Sequence, residues 1–426
     1  MSHVEKKYRP DEHAFTACIR AAIWDTNPTS RQVHDAHSDE NSVYQTEFGD
    51  TSHPQSLTNE QITMILKSSI ARRHQCTHLL TMWAVEQHKI TPDNTIRRDF
   101  FITTQRTLRQ NHLLADTLSL FAANHIPAIL LKGYGLTTLY PTPTMREYGD
   151  VDIYVGNAHY DAAVNILRTH YPNAYWCSPT HVGHHFIMVL DDKRDLVIEL
   201  HNHFCTLDRA DEQAFATFTR HALYPLQTLK LNGVDVPVPN SRFNVLYLFL
   251  HAWEHFISTG VGFRPLIDWM LTLHQLAHQL TAAEWQTFAT TLQHTLRAMH
   301  LLRPWQTFGA VLVQYLGLAR NEFPLYNPNC ESLARRLYLQ ILHDGQGTRA
   351  LTPKHEGTTT RRSCLEIHAF PLRRPAKNRF LQRAHTAVRV FYDTLQLAKF
   401  FPAYALRKLM TTIAGLSTKG VQARST

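Results

Sequence analysis

The sequence predicts an α+β protein in which a small mixed sheet, between Ile126 and about residue 240, is flanked by helical regions on both sides. Three observations carry this. From Ile126 the chain breaks into short apolar runs separated by turn residues, AILL, DVDIYV, HHFIMVL and DLVIEL, which is the pattern of strands. A helical segment, AHYDAAVNILRTH, alternates with them, as a mixed sheet requires. Before and after this stretch the apolar residues recur at helical spacing over much longer runs.

Taken in order, residues 27–57 are rich in Asp, Ser, Thr, Asn and His with few aliphatics and read as loop or linker, closing a loop-rich N-terminal segment, 1–57. Thr58 and Gln61 have the spacing of a capping box and open a helical stretch running to about His88. A second periodic stretch runs from about Asn94 to Asn124, so 58–125 form a helical region. The sheet unit is 126–240, with a further short strand in VDVPVP near its end. After Pro239 the segments SRFNVLYLFLHAWEHF, PLIDWMLTLHQLAHQL and TAAEWQTFATTLQHTL predict a helical domain, 241–360. The third is opened by a capping box from Thr281 to Glu284. A basic helical segment, 361–426, completes the chain.

With 426 residues, 44% of them apolar and 18% charged, the chain has ordinary globular composition and exceeds a single core, so two or three domains are expected. The first residues, MSHVEKKYRPDEH, lack the apolar stretch of a secretory signal, and no uncharged apolar run approaches membrane-spanning length. A cytoplasmic location follows as an expectation. Six cysteines lie far apart without a CxxC pair, which argues for reduced, mostly buried thiols over a zinc ribbon or disulfide framework. The formal charge is +8, yet 361–426 hold thirteen Lys and Arg against two Asp and Glu. The basic character therefore belongs to that segment, where interleaved Phe and Tyr side chains suit either an anionic partner or an ordinary core-facing helix surface.

The chemistry concentrates between Ala128 and Val155, AILLKGYGLTTLYPTPTMREYGDVDIYV. In Asp150-Val151-Asp152-Ile153-Tyr154-Val155 the valines and isoleucine form one strand face, so Asp150 and Asp152 share the other, a solvent-facing one, and converge on one point. By the same parity Glu199 and His201 share a face of DLVIELH opposite Leu196, Ile198 and Leu200. If the two strands are neighbours, Glu199 completes a three-carboxylate set able to hold Mg²⁺, with room for two ions. Lys132-Gly133 follows the strand AILL directly, a glycine permitting close backbone approach to phosphate beside an ammonium donor. Arg146 is the candidate for gripping terminal phosphates.

Leu131-Lys132-Gly133, Leu139-Tyr140-Pro141, Arg146, Gly149-Asp150-Val151-Asp152 and Glu199-Leu200-His201 resemble the uncharacterised nucleotidyltransferase family of the DNA polymerase β-like superfamily. The resemblance covers roughly residues 125–270. It implies a polymerase β-like core and Mg²⁺-dependent transfer of an NMP from an NTP to an acceptor hydroxyl, carried by a small molecule, a tRNA or a protein. It also implies that Asp150 and Asp152 are metal ligands, that Glu199 is the third carboxylate and general base, and that Gly133 begins the nucleotide-binding helix. Tyr134 stands where the wider superfamily usually has serine, leaving Lys132 and Thr137 as substitutes.

His251, Glu254 and His255 also match HxxEH, a zinc-peptidase spacing in which two histidines share a helix face and the glutamate acts as base. No acidic third ligand is evident downstream, and the same family pattern has histidines here together with an Arg and Asp matching Arg264 and Asp268. A packing or substrate-facing role for His251 and His255 is preferred, and His201 is a further substrate-facing candidate. The alternative functions are a noncatalytic nucleic-acid or partner-binding protein retaining the fold, and a zinc hydrolase.

Overall fold

The computed structural model describes residues 10–24, 57–88, 90–177, 185–189, 196–205, 207–346, 394–395 and 397–410. Most of the expected linker and most of the basic C-terminal segment lie outside these residues. The first helix, α1 (Pro10–Trp24), has no one-sided periodicity because Phe15, Ala17, Cys18, Ile19, Ala21 and Ile23 are all buried, and a helix apolar on several sides shows no stripe.

The stretch expected to be one helix from residue 58 is three: α2 (Asn59–Lys67), α3 (Ser69–Arg73) and α4 (Thr77–His88). The capping box forms in full, with the Thr58 side chain accepting from the Gln61 backbone and the Gln61 side chain from that of Thr58. Ser68 breaks the first helix by going extended, its hydroxyl donating to Ile65 O while accepting from Ile70 N, the local competition that makes serine a helix boundary. Gln75, at φ 56°, breaks the second.

That second break inserts His74 into the core. It is fully buried between the rings of Phe15 and Phe263, with Nε2 donating to Leu342 O at 3.2 Å. Burial is the main cause that lowers its pKa to about 3. The unfolded chain therefore binds a proton below about pH 6.5 that the folded chain refuses, so stability is lost as pH falls through the window from 6.5 towards 3. In urea titrations across pH, wild type should lose stability relative to His74→Leu by up to about 1.4 kcal/mol per pH unit in that window. A pH-independent difference between the two would refute it.

Helix α5 (Asn94–Ala123) is capped by Asp93, whose side chain accepts from Thr95 N and Ile96 N. It leads into a five-stranded sheet of β1 (Ile129–Leu130), β2 (Val151–Tyr154), β3 (Tyr175–Cys177), β4 (His185–Val189) and β5 (Val197–His201), ordered β1-β2-β5-β4-β3. Only β2 and β5 are parallel. Helix α6 (Gly156–His170) and the strands β3 and β4 lie in the connection between them. Val151, Ile153, Val155, Ile198 and Leu200 pack on Leu113, Leu114 and Leu118 of α5 and on Ala163, Val164 and Leu167 of α6.

After α7 (Arg209–Ala222), the expected strand VDVPV is β7 (Val234–Val238), paired with β6 (Gln227–Leu231). Asn232 and Gly233 both have positive φ between them, as a two-residue hairpin turn requires. Strand β6 is mostly exposed, which is why it carries no apolar signal. Helices α8 (Ser241–Ser258), α9 (Phe263–Gln279), α10 (Ala282–Ala298), α11 (Leu302–Val311) and α12 (Glu331–Asp344) follow, α10 with both arms of its Thr281–Glu284 capping box. The expected α+β architecture, a small mixed sheet with helical flanks, is the one that forms.

Of the basic segment, part of the described stretch 397–410 packs inward. Phe400 and Phe401 pack on Trp253 and Phe256, and Arg407 pairs with Asp211 at 2.8 Å and Asp208 at 3.2 Å. Among the described residues no helix is long and apolar enough to cross a membrane, and Cys18, Cys76, Cys205 and Cys330 are free thiols.

Candidate active site

Parallel pairing of β2 with β5 places Asp152 directly opposite Glu199, and Tyr154 opposite His201. Alternation then puts Asp152, Glu199 and His201 on the same side of the sheet. Their ligand atoms all lie within 4.8 Å of one another. The expectation that this face meets solvent is corrected: Asp152 is 1% exposed, His201 4% and Glu199 9%. The sheet is buried on both sides because α8 covers the polar one, its Tyr247, His251 and Glu254 all within electrostatic reach of the carboxylates. Asp150, just before the strand, is the half-buried member of the set.

Lys132 comes into this layer from the end of β1. Its Nζ lies 3.0 Å from Asp152 Oδ1 and 3.3 Å from His251 Nε2. His201 Nε2 donates to the same Oδ1, also at 3.0 Å. Asp152 Oδ2, equally buried, has no hydrogen-bond partner among the described residues. One oxygen is thus doubly bonded and the other bare, although a buried carboxylate oxygen is ordinarily satisfied.

The charges explain the protonation states. Burial would raise the Asp152 pKa, but the Lys132 ammonium and the His201 hydrogen bond outweigh it and hold the carboxyl far below the usual range. At Glu199 the Lys132 charge acts in the same direction but does not prevail. Burial first, then the negative charges of Asp152 and Asp150, push it well above the ordinary glutamate value. Of the two facing carboxyls, Glu199 therefore has the higher affinity for a proton. For Lys132, burial favours loss of the proton, yet Asp152, Asp150 and Glu199 together raise its pKa. Burial and the neighbouring Lys132 charge drive the His251 pKa well down, so His251 is neutral and its Nε2 accepts from Lys132.

Glu254 faces the same layer. Burial raises its pKa against the fields of Lys132 and Lys408, and it adds to the negative potential at Glu199. Its membership was not evident from the strands, since it comes from a helix a hundred residues after the aspartates. The place of Glu254 three residues after His251, within the HxxEH pattern, was the available signal. That pattern does not make a zinc site. His251 Nε2 is taken by an ammonium, while His255 Nδ1 lies 3.3 Å from both Thr259 Oγ1 and Gln346 Nε2. The three do not form a ligand set among the described residues.

Gly133 has φ 59° and its Cα faces the Asp150 carbonyl, a left-handed backbone that glycine adopts without strain. The segment it opens, Gly133–Leu139, is 3₁₀ rather than the expected α-helix. Tyr134 donates its hydroxyl to Lys230 O at 2.7 Å, and Thr137 donates to Tyr134 O, so both hydroxyls are engaged in holding this turn.

Arg146 sits in a different network from the one its position suggested. It is 3% exposed, and its Nε and Nη2 donate to the two oxygens of Asp268 at 2.8 and 2.7 Å. Tyr140 donates to the same carboxylate at 2.8 Å. The Leu139-Tyr140-Pro141 turn, Arg146 and Asp268 of α9 therefore close one buried clamp. Arg264, one turn earlier on α9, reaches Glu147 O at 3.3 Å.

A solved structure of an antigenic nucleotidyltransferase-like protein from Paracoccidioides brasiliensis is similar at 16% identity and a TM-score of 0.30, over 46% of this chain and 90% of that one. No curated protein sequence matches. The family described as uncharacterised nucleotidyltransferase matches residues 68–308, more than half of the chain. That span holds Lys132, all four carboxylates around it and the Arg146–Asp268 clamp, and on this match the chain belongs to the uncharacterised nucleotidyltransferase family.

Proposed function

We propose that this protein is a Mg²⁺-dependent nucleotidyltransferase that moves an NMP from an NTP to an acceptor hydroxyl. The observation that carries the reading is the register of β2 on β5, which sets Asp152 beside Glu199 with one bare carboxylate oxygen between strands rich in negative charge. Four carboxylates, Asp150, Asp152, Glu199 and Glu254, surround a single buried lysine here. A divalent cation fits that surplus, and hard oxygen donors suit Mg²⁺. Asp152 through Oδ2, Glu199 and Asp150 would hold it. Bound there, Mg²⁺ would neutralise triphosphate oxygens and lower the pKa of the attacking hydroxyl.

The chain's own groups supply the rest. Glu199, with its raised affinity for a proton, takes the proton of the acceptor hydroxyl as the oxygen–phosphorus bond forms and the bond to pyrophosphate breaks. His201 and Lys132 fix Asp152 through Oδ1, so that Oδ2 would be the oxygen to meet the cation. Lys132 also provides positive charge for the leaving group, and Gly133 lets backbone come near phosphate. Arg146 is a positioning residue that locks the turn after Gly133 onto α9, in place of a direct phosphate contact. An NTP donor also fits a cytoplasmic setting.

The test uses each of the four NTPs labelled at the α-phosphate, with Mg²⁺. Equilibrium dialysis should show at least one bound, and incubation with sugars, tRNA or protein should transfer label to one class with release of pyrophosphate. Failure of every NTP to bind in the presence of Mg²⁺ would overturn the reading, whatever the acceptor.

A further inference from the structure

Helix α9 carries a second convergence of ligand-type side chains, of different chemistry from the carboxylates on the sheet. His274 and His278 are four residues apart and so project from one face of the helix. Glu322, from the 3₁₀ turn Arg320–Glu322, reaches both: His274 Nδ1 to Oε2 is 2.9 Å and His278 Nε2 to Oε1 is 3.1 Å. The three ligand atoms lie within 4.8 Å of one another. Glu322 is buried, at 5% exposure, while the His278 side chain is 54% exposed, so the cluster has an anchored carboxylate and an open side towards water. The Trp24 ring packs edge-on against His274 at 5.1 Å and restrains that imidazole. Arg320, two residues from Glu322, is turned away to Glu331 and the Tyr326 ring.

We infer that His274, His278 and Glu322 form a Zn²⁺ site that fastens α9 to the 320–322 turn. Two imidazole nitrogens and a carboxylate with one side open are the donor set of a four-coordinate zinc that keeps a solvent ligand. Imidazole selects zinc over Mg²⁺, which prefers an oxygen shell. Ligand atoms at zinc distances stand about 3.3 Å apart across a tetrahedral ion, so the two spacings to Glu322 need to open by only a few tenths of an ångström. Each neutral imidazole would present the lone pair of the nitrogen that now donates to Glu322, its proton passing to the other ring nitrogen or to water. The inference is independent of the nucleotidyltransferase reading, and Glu322 lies beyond the residues that match the family.

The test is Zn²⁺ titration of the full chain, stripped with chelator, with Mg²⁺ in excess to hold the sheet carboxylates. Wild type and Asp152→Asn should retain zinc equally, whereas His278→Ala should weaken it by about 100-fold or more. Zinc should raise the melting temperature of wild type and leave that of His278→Ala unmoved. His278 is exposed enough for its loss to leave the fold intact, and Glu322→Gln provides a second variant that keeps volume. Undiminished zinc binding by both variants would overturn the site, and so would zinc lost with Asp152→Asn instead. No zinc binding to the wild-type chain would overturn it equally.

Discussion

Asp152→Asn should lower NMP transfer by about 10³-fold or more while the protein remains folded. The amide keeps an oxygen for Lys132 and His201, so the bonds now made to Oδ1 at 3.0 Å have an acceptor of the same shape. What disappears is the charge and the bare anionic Oδ2. Stability survives for a specific reason. Once Asp152 is neutral, Glu199 no longer faces a carboxylate and loses a cause of its raised pKa, which favours its ionised form beside Lys132 and leaves the buried ammonium a counter-charge. The double variant Asp152→Asn/Glu199→Gln removes that fallback and should be less stable than the two single effects combined. Initial rates with excess NTP, together with urea unfolding of all three variants, check both halves. A turnover within tenfold of wild type in folded Asp152→Asn would refute the assigned role.

Arg146→Ala should destabilise the fold by about 3–5 kcal/mol, because it strands the buried Asp268 carboxylate. Two charge-assisted bonds join the pair, and Tyr140 donates to the same group. Removing the arginine therefore leaves a desolvated anion with only a phenol for support. Asp268→Asn should be less severe, since its amide oxygen still accepts from one guanidinium nitrogen. The two losses should not add, and a double-mutant cycle on urea unfolding should return a coupling of about 1–3 kcal/mol. If Arg146 instead gripped phosphate, its loss would weaken NTP binding and leave the unfolding midpoint where it was. The two readings of this arginine give opposite results in one pair of measurements.

Most of the sheet was legible because its strands announce themselves. In β2 and β5 apolar residues alternate with Asp, Glu and His, and the assignment of Asp150, Asp152, Glu199 and His201 to one face rests on parity alone. The capping boxes at Thr58 and Thr281 were legible for a similarly local reason, since each is closed by two side-chain-to-backbone bonds within four residues. Helix α1 and strand β6 were not. One is apolar on several sides and the other is mostly exposed, so neither has the half-and-half pattern that periodicity detects. The breaks at Ser68 and Gln75 also escaped, because the gain that places His74 among Phe15, Phe263 and Leu342 comes from residues distant in sequence.

The sequence by itself determined which chemical groups this protein can bring to a site, and on which strand faces. Carboxylate spacing, the Lys132-Gly133 turn and the family pattern all reside in short segments whose geometry the backbone period dictates. Only the tertiary structure decided how those groups are used. The register Asp152↔Glu199 sets the proton affinities of two carboxyls apart, and the cover of α8 takes the face expected in solvent into the interior. The partner of Arg146 proved to be Asp268, 122 residues away, and so its charge is spent inside the fold. Charge is a sequence property, but the burial and pairing that set its effect depend on contacts between segments that no local pattern encodes.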